Sequence, residues 1–275
     1  MDRLRHALPR PAFLGVALVV GMALAAAGCV GTDFVEMAQD SLRRAFRFET
    51  PSAFFQPVLE RARGEREVSH MHVRARQHYL QIIASIERLT PPMREDLRRS
   101  GILGEAYALK ALAQWRMGRL DEARTSIAIV RDSNQEPLRA RDRALFEGMA
   151  GVLKLEEALG LEEAGKPFAA VFEAAAGEQG GWRMLATART KIPAEDRLQA
   201  DLMQARLGCY ATVVRAHHRD PRGASMLDPE VLPRLRAEAQ VELNQLARTP
   251  DAALVSFAAV LRRWQVVCEL DAPAS

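Results

Sequence analysis

Clustered histidines are the first residues whose types and spacing suggest chemistry, because converging imidazole groups bind metal ions. His70, His72 and His78 lie close together along the chain, and His217 is followed directly by His218. Residues two positions apart on a helix point in directions about 200° apart, so His70 and His72 cannot share a face. A tetrahedral zinc site needs three or four converging ligands. The sequence therefore predicts no metal site.

Neighbouring carboxylates are the next candidates, because two opposed acids can perform acid–base chemistry. They occur at residues 156–157, 162–163 and 195–196. A glycosidase needs its two carboxylates on opposite sides of a cleft, whereas acids that adjoin along a helix are typical of solvated faces and first turns. The chain also lacks a Gly-x-Ser-x-Gly elbow, a phosphate-binding glycine loop and a His-Glu-x-x-His motif. We therefore expect a protein that is not an enzyme and uses no cofactor.

The thiol of Cys29 has the most informative surroundings. Three arginines in the first ten residues give a positive start, an uncharged and largely apolar stretch begins at Pro11, and residues 25–28 read Ala-Ala-Ala-Gly. A charged start, a short apolar core and small residues before a cleavage site are typical of a secretory leader. An uncleaved anchor is the alternative, because no charge occurs between Arg10 and Asp33 and a membrane span needs roughly 20 apolar residues.

The Ala-Ala-Gly-Cys sequence that ends at Cys29 resembles the lipobox of bacterial lipoproteins. The resemblance implies that residues 1–28 are a signal peptide, that Cys29 carries acyl chains, and that the mature protein is held at a membrane outside the cytoplasm. Ala26 stands where that family most often has leucine. Val30 follows the cysteine in place of aspartate, which in the family implies sorting to the outer membrane, facing the periplasm.

The charge of the mature chain is close to neutral. Arg3, Arg5 and Arg10 against Asp2 contribute +2 of the formal +3, which leaves +1 on residues 29–275. This balance gives no electrostatic reason to expect nucleic-acid binding.

Cys209 and Cys268 are the cysteines that remain once Cys29 is lipidated. An oxidising compartment permits a disulfide between them, and such a bridge would tie the last helices together. Two buried free thiols, which behave as small apolar side chains, are the alternative.

The chain after the leader is predicted to be helical throughout. Alanine, leucine, arginine and glutamate dominate, all of them good helix formers, and no alternating β-branched run or hairpin dipeptide occurs. We expect a lipid tether and a first amphipathic helix within 29–50, followed by a helical domain over 51–275. Within that domain, the pattern predicts a long helix from Glu67 to Leu89, and a final helix that begins near Thr249 and ends near Val267.

The first helix has two possible roles. Its apolar residues, such as Leu42 and Phe46, could pack against the body of the protein. Alternatively, these side chains could enter a membrane boundary while Arg43, Arg44 and Arg47 contact anionic headgroups.

An internal repeat accounts for part of the helical pattern. Residues 121–130 align without gaps with residues 251–260, with Asp, Ala, Ser, Ala and Val recurring in place. The segment 107–130 resembles the second half of a tetratricopeptide repeat. The residues that carry this resemblance are the small residue of the first helix, the turn glycine, the close helix contact and the outward packing positions: Ala111, Gly118, Ala123, Ile127 and Val130.

The match departs from the repeat family at several positions of this segment. Lys110 and Gln114 stand where the family prefers leucine and tyrosine, and Leu120 occupies a usual aromatic position. The resemblance implies an all-α fold, an array of antiparallel helix pairs. It also implies that Glu105, Trp115 and Arg116 line an inner groove that contacts a partner, with burial of Trp115 in the core as the alternative.

Together these features predict a lipid-anchored envelope protein that binds or scaffolds a partner protein or peptide, because stacked helix pairs form a curved binding surface. The alternative is a small-ligand-binding lipoprotein accessory to a periplasmic transport system, since a helical array can also enclose a cavity.

Overall fold

The computed structural model describes residues 31–65, 70–134, 140–193, 196–249 and 255–273, and the side chains of these residues except 140–144 and 255–256. Within these ranges the chain is helical and has no β-strand, which confirms the predicted all-α class. None of the helices described is both long and apolar enough to cross a membrane. The leader, Cys29 and the start of the second repeat copy lie outside the described residues.

The helices pack side by side around one core. A single turn of 3-10 helix, Pro51–Phe54, precedes α2. The α-helices in chain order are α1 (31–45), α2 (Gln56–Ala62), α3 (Val73–Glu87), α4 (Pro91–Arg99), α5 (Leu103–Arg116), α6 (Leu120–Ser133), α7 (Ala140–Glu163), α8 (Phe168–Ala176), α9 (Gly181–Lys191), α10 (Leu198–Arg219), α11 (Pro221–Ala224), α12 (Val231–Leu246) and α13 (Val255–Val267).

Helix α1 packs against the body of the protein. Val35, Ala38 and Leu42 are buried on one of its faces. The ring of Phe46 meets the ring of Phe54 edge-on, with 5.9 Å between centroids. The apolar face of the first helix therefore lies in the core, and its arginines remain on the outside.

Helix α3 begins at Val73, and residues 70–72 before it are not helical, so the predicted continuous helix from Glu67 to Leu89 is wrong; Glu67 itself lies outside the described residues. His72 has an extended backbone, and its Nδ1 accepts a hydrogen bond from the Arg74 backbone N–H at 3.2 Å. A side chain that caps the first turn in this way satisfies a donor that the helix leaves unpaired. His70 and Met71 precede the cap as non-helical residues.

Helices α5 and α6 form the helix pair that the repeat pattern predicts. Gly118 turns the chain with φ of 74°, a conformation that glycine adopts without steric cost. Ala123 is fully buried where the helices meet. Gln114 accepts a hydrogen bond from Ser126 Oγ at 2.7 Å and donates to Glu122 at 3.1 Å. The amide at this departure from the family therefore links the two helices.

Replacing Ala123 by leucine is expected to lower the free energy of unfolding by about 1–3 kcal/mol, because a larger side chain overpacks a closed helix contact. Denaturant unfolding measures the change. Ala128→Leu is the matched control, since Ala128 is exposed on the same helix. Equal stabilities of the two variants would contradict the close packing of α5 on α6.

Helix α10 runs through the centre of the second half of the chain. It contacts α2, α7, α8, α9 and α12, and its residues are buried along most of its length. Gly181 lets the start of α9 approach it, because a Cβ atom at this position would lie 2.8 Å from the Sγ atom of Cys209. The side chains of α10 therefore join helices that the sequence places far apart.

Candidate functional site

The three residues predicted to line an inner groove lie in the interior, so their predicted exposure is wrong. Glu105 is 0% exposed and accepts a hydrogen bond from Gln39 of α1 at 3.0 Å. Trp115 is 4% exposed, and its ring lies 5.7 Å from that of Phe54 and 5.4 Å from that of Phe55. The chain between α1 and α2 covers this face of α5, and Trp115 is a core residue.

Arg116, the third of these residues, belongs to a buried ion pair with Glu49. Its Nε and Nη2 atoms each donate to the carboxylate at 3.0 Å. The Tyr79 hydroxyl donates to the same carboxylate at 2.8 Å, and the backbone N–H of His72 donates at 2.7 Å. These contacts join the turn after α1 to the start of α3 and the end of α5.

The surroundings of this pair shift two pKa values. Burial raises the pKa of Glu49, but the hydrogen bonds from Arg116, His72 and Tyr79 outweigh burial, and the pKa lies below its ordinary value. Burial and the neighbouring Glu49 charge raise the pKa of Tyr79. The carboxylate is therefore held ionised and fully engaged, an arrangement that stabilises the fold.

A second buried cluster joins α9, α10 and α12. Glu242 accepts from Arg189 Nη1 at 2.6 and 2.7 Å, and it also accepts from Arg206 Nη1. The Arg206 guanidinium lies 4.0 Å from the centroid of the Trp182 ring, and the Trp182 indole N–H donates to Glu238 at 2.9 Å. Burial and the neighbouring Arg189 charge lower the pKa of Arg206 to about 10.

Among the described residues, the carboxylates considered for acid–base chemistry take part in salt bridges and caps, and Glu195 lies outside the described residues. Glu156 and Glu163 both bind Arg61. Glu162 accepts from Arg215 and lies 3.3 Å from Arg219 Nη1. These interactions position the end of α7 against α2 and α10.

Asp196 Oδ1 accepts from the Leu198 backbone N–H at 2.9 Å, at the start of α10. The carboxylate therefore satisfies a donor in the first turn of that helix.

His72 and His78 both stack on the Phe48 ring, and His217 and His218 stack on each other, but their polar contacts are separate. His72 caps α3, His78 contacts Gln81 through Nδ1 at 3.0 Å, and His218 lies 2.7 Å from Glu269. Over the residues that the structure describes, no three His, Cys, Asp or Glu side chains are grouped so that they could hold a metal ion.

Cys209 and Cys268 are separate, buried thiols in this structure. Burial raises the pKa of the Cys209 thiol to about 12 and also raises that of Cys268. The Cys268 thiol donates to the Leu207 carbonyl at 3.5 Å. Both groups stay protonated at neutral pH, and a protonated, buried thiol is unreactive.

An open groove lies between α6 and α9, with α7 as its floor. It consists of two adjoining hollows of about 560 and 270 Å³ that share Arg131, Ala150 and Met184 as lining residues. Phe146 and Leu153 of α7 add apolar surface to the floor. This size and mixed lining suit a segment of another polypeptide.

The rim of the groove is charged on both sides. Lys191 of α9 lies 3.3 Å from Glu147 and connects the rim to the floor helix, and Lys154 lies 2.9 Å from Glu157 within the floor helix itself. Arg131 of α6 is exposed at the junction of the two hollows. An apolar centre with a polar rim is the usual anatomy of a protein–protein interface.

Two residues of the repeat pattern line the groove. Ile127 lines one hollow and Val130 lines the other, and both were predicted as outward packing positions of the second repeat helix. No family model, curated protein or solved structure matches the chain.

Proposed function

We propose that this protein is a lipid-anchored protein of the bacterial cell envelope whose helical body binds a segment of a partner protein. The lipid on Cys29 holds the body at the outer membrane, facing the periplasm. The groove over α7 binds an extended or helical segment of the partner. The proposed function is to bind and position the partner protein, so it needs no reactive side chain.

The open groove is the observation that carries this proposal. Helices α6 and α9 flank α7, and small or apolar side chains such as Ala150 and Met184 lie between the charged rims of the groove. Burial of the apolar floor supplies affinity, and the charged rim sets which partner fits and in which orientation.

Metabolic labelling with an alkyne fatty acid tests the anchor. The wild-type chain is expected to incorporate the label, and Cys29→Ser is expected to lose it, because a serine hydroxyl cannot replace the thiol in acyl transfer. Cys209→Ser is the matched control, since the Cys209 thiol is buried and should not affect labelling. Labelling that persists in Cys29→Ser would contradict lipidation at this residue.

Site-specific photocrosslinking in the native envelope tests the groove. A benzoylphenylalanine in place of Ala128, which lines the wall of the groove, is expected to give a discrete crosslinked product. The same probe in place of Ala237, exposed on α12, is the control and should not give it.

A substitution that fills the groove tests whether the crosslink reports specific binding. Ala150→Trp places a large ring on the floor and is expected to abolish the Ala128 crosslink without changing the thermal midpoint, because Ala150 is only partly buried. A product that survives this substitution, or that forms equally from position 237, would overturn the groove as the binding site.

A further inference from the structure

A second cleft, of about 370 Å³, lies between α1 and the second half of α3. Arg44 of α1 and Arg88 at the end of α3 both line it, together with the polar side chains of Ser41 and Gln81. Guanidinium groups bind phosphate oxygens through paired hydrogen bonds, and a hydroxyl group can add a further donor. The cleft therefore has the donors that a phosphate group requires.

The charge of this cleft is positive. Asp40 is the acid in its lining, and its Oδ1 atom already accepts from Arg43 at 2.5 Å. Among the described residues, neither Arg44 nor Arg88 has an acidic partner within 4.0 Å. Two uncompensated guanidinium groups on neighbouring helices favour an anionic occupant.

Exposed apolar side chains accompany these arginines. Met37 is 50% exposed and lines the cleft, and Leu80 is 40% exposed on α3. Arg76 and Leu80 are four residues apart and share a side of α3, and Arg88 lies about 80° around the helix from Leu80. A surface that combines arginines with exposed apolar side chains is typical of binding at the boundary between headgroups and acyl chains.

The position of the cleft also favours a membrane. Cys29 precedes residue 31, the first described residue of α1, by two residues, which span at most about 7 Å. If Cys29 is lipidated, as proposed above, α1 starts next to the headgroups. Its 15 residues extend about 22 Å, so a body that lies along the membrane brings Arg44 to the lipid surface.

We propose that the face formed by α1 and α3 rests on the membrane, and that its cleft binds the phosphate of an anionic phospholipid. This role differs from the membrane contact considered from the sequence, in which the apolar side of α1 enters the lipid. That side lies in the protein core, and the arginine side makes the contact. The cleft and the partner groove over α7 share no lining residue, so the two sites are distinct.

A fluorophore on the surface of α3 tests this inference while the lipid anchor remains in place. Leu80→Cys is labelled with nitrobenzoxadiazole in the full lipidated protein, since Cys209 and Cys268 are buried and Cys29 is acylated. The protein is bound to vesicles of phosphatidylcholine alone or of phosphatidylcholine with phosphatidylglycerol. The label is expected to shift to shorter emission wavelengths only on the anionic vesicles, and high salt should reverse the shift.

Two double variants in this background identify the groups responsible. Arg44→Ala with Arg88→Ala is expected to reduce docking on anionic vesicles by about 30-fold, because each arginine near an anionic surface strengthens binding by about five-fold. Arg222→Ala with Arg234→Ala is the matched control, since both residues are exposed on helices that pack against α10. This control should dock as the parent does.

The result distinguishes this inference from the proposal for Cys29. A tethered protein whose label remains in water on both kinds of vesicle would overturn the inference, and so would equal docking by the two double variants. Failure of lipidation has a different result, because the chain would then not be retained on phosphatidylcholine vesicles at all. An acidic protein segment as the true occupant would likewise leave the label in water on anionic vesicles.

Discussion

Replacing Glu242 by alanine is expected to lower the free energy of unfolding by about 3–5 kcal/mol, because it leaves two arginines without their buried counter-charge. The Glu242 side chain is 5% exposed and binds both Arg189 and Arg206. The loss is a large part of the 5–15 kcal/mol that stabilises a typical domain. Chemical denaturation followed by circular dichroism measures it.

Glu238→Ala is the matched control for this prediction. Glu238 lies one turn earlier on α12, and its side chain is 48% exposed. It accepts one hydrogen bond from the Trp182 indole and lies 3.9 Å from Arg206 Nη2, but both contacts are made by a half-exposed carboxylate, so its loss is expected to cost about 1 kcal/mol. If Glu242→Ala fails to fold, Glu242→Gln preserves the shape and shows the effect of charge alone. Equal effects of Glu238→Ala and Glu242→Ala would contradict the stabilising role of the buried ion pairs that Glu242 forms.

The two buried ion-pair clusters, around Glu49 and around Glu242, could not be predicted from the sequence, because their members are far apart along the chain. Glu49 and Arg116 are separated by 67 positions, and Arg206 and Glu242 by 36. Each of these residues is unremarkable in its local pattern, since charged side chains occur on most helices here. Only the packing of α5 or of α10 makes them buried partners.

The α5–α6 pair was predictable because its signals are local. A glycine at 118 ends one helix, and a small residue at 123 marks the close contact with the next helix. The burial of Trp115 was not predictable, because the segment around Phe54 and Phe55 that covers it is distant in the sequence. The same sequence pattern fits a wall of an open groove and a core position, and tertiary contacts decide between them.

The groove over α7 combines predictable and unpredictable parts. Ile127 and Val130 follow from helix periodicity on α6. Phe146 and Met184 lie on two other helices, and nothing in the sequence pairs them with α6. The relative placement of three helices creates this surface, so a search for motifs along the chain does not reveal it.

Glu49→Gln is expected to lower the free energy of unfolding at neutral pH, and to make it less sensitive to acid. The folded-state pKa of Glu49 is lower than its unfolded value, so its ionisation stabilises the fold above the unfolded pKa of about 4.3. That contribution is lost as the pH falls through the folded pKa. The stability difference between wild type and Glu49→Gln should therefore be largest near pH 7 and shrink steadily below about pH 5.

Removing the Glu49 side chain is expected to lower the free energy of unfolding more than Glu49→Gln does. Glu49→Ala leaves the Arg116 charge buried, because the Arg116 side chain is only 6% exposed, and it is expected to cost about 3–5 kcal/mol. The double variant Glu49→Ala with Arg116→Met should regain part of this loss, because it no longer buries an unpaired charge. Additive effects of the two substitutions would contradict direct coupling between the carboxylate and the guanidinium. Glu87→Ala is a control in both experiments, since its side chain is 54% exposed beside Lys110 and should change stability by less than about 1 kcal/mol.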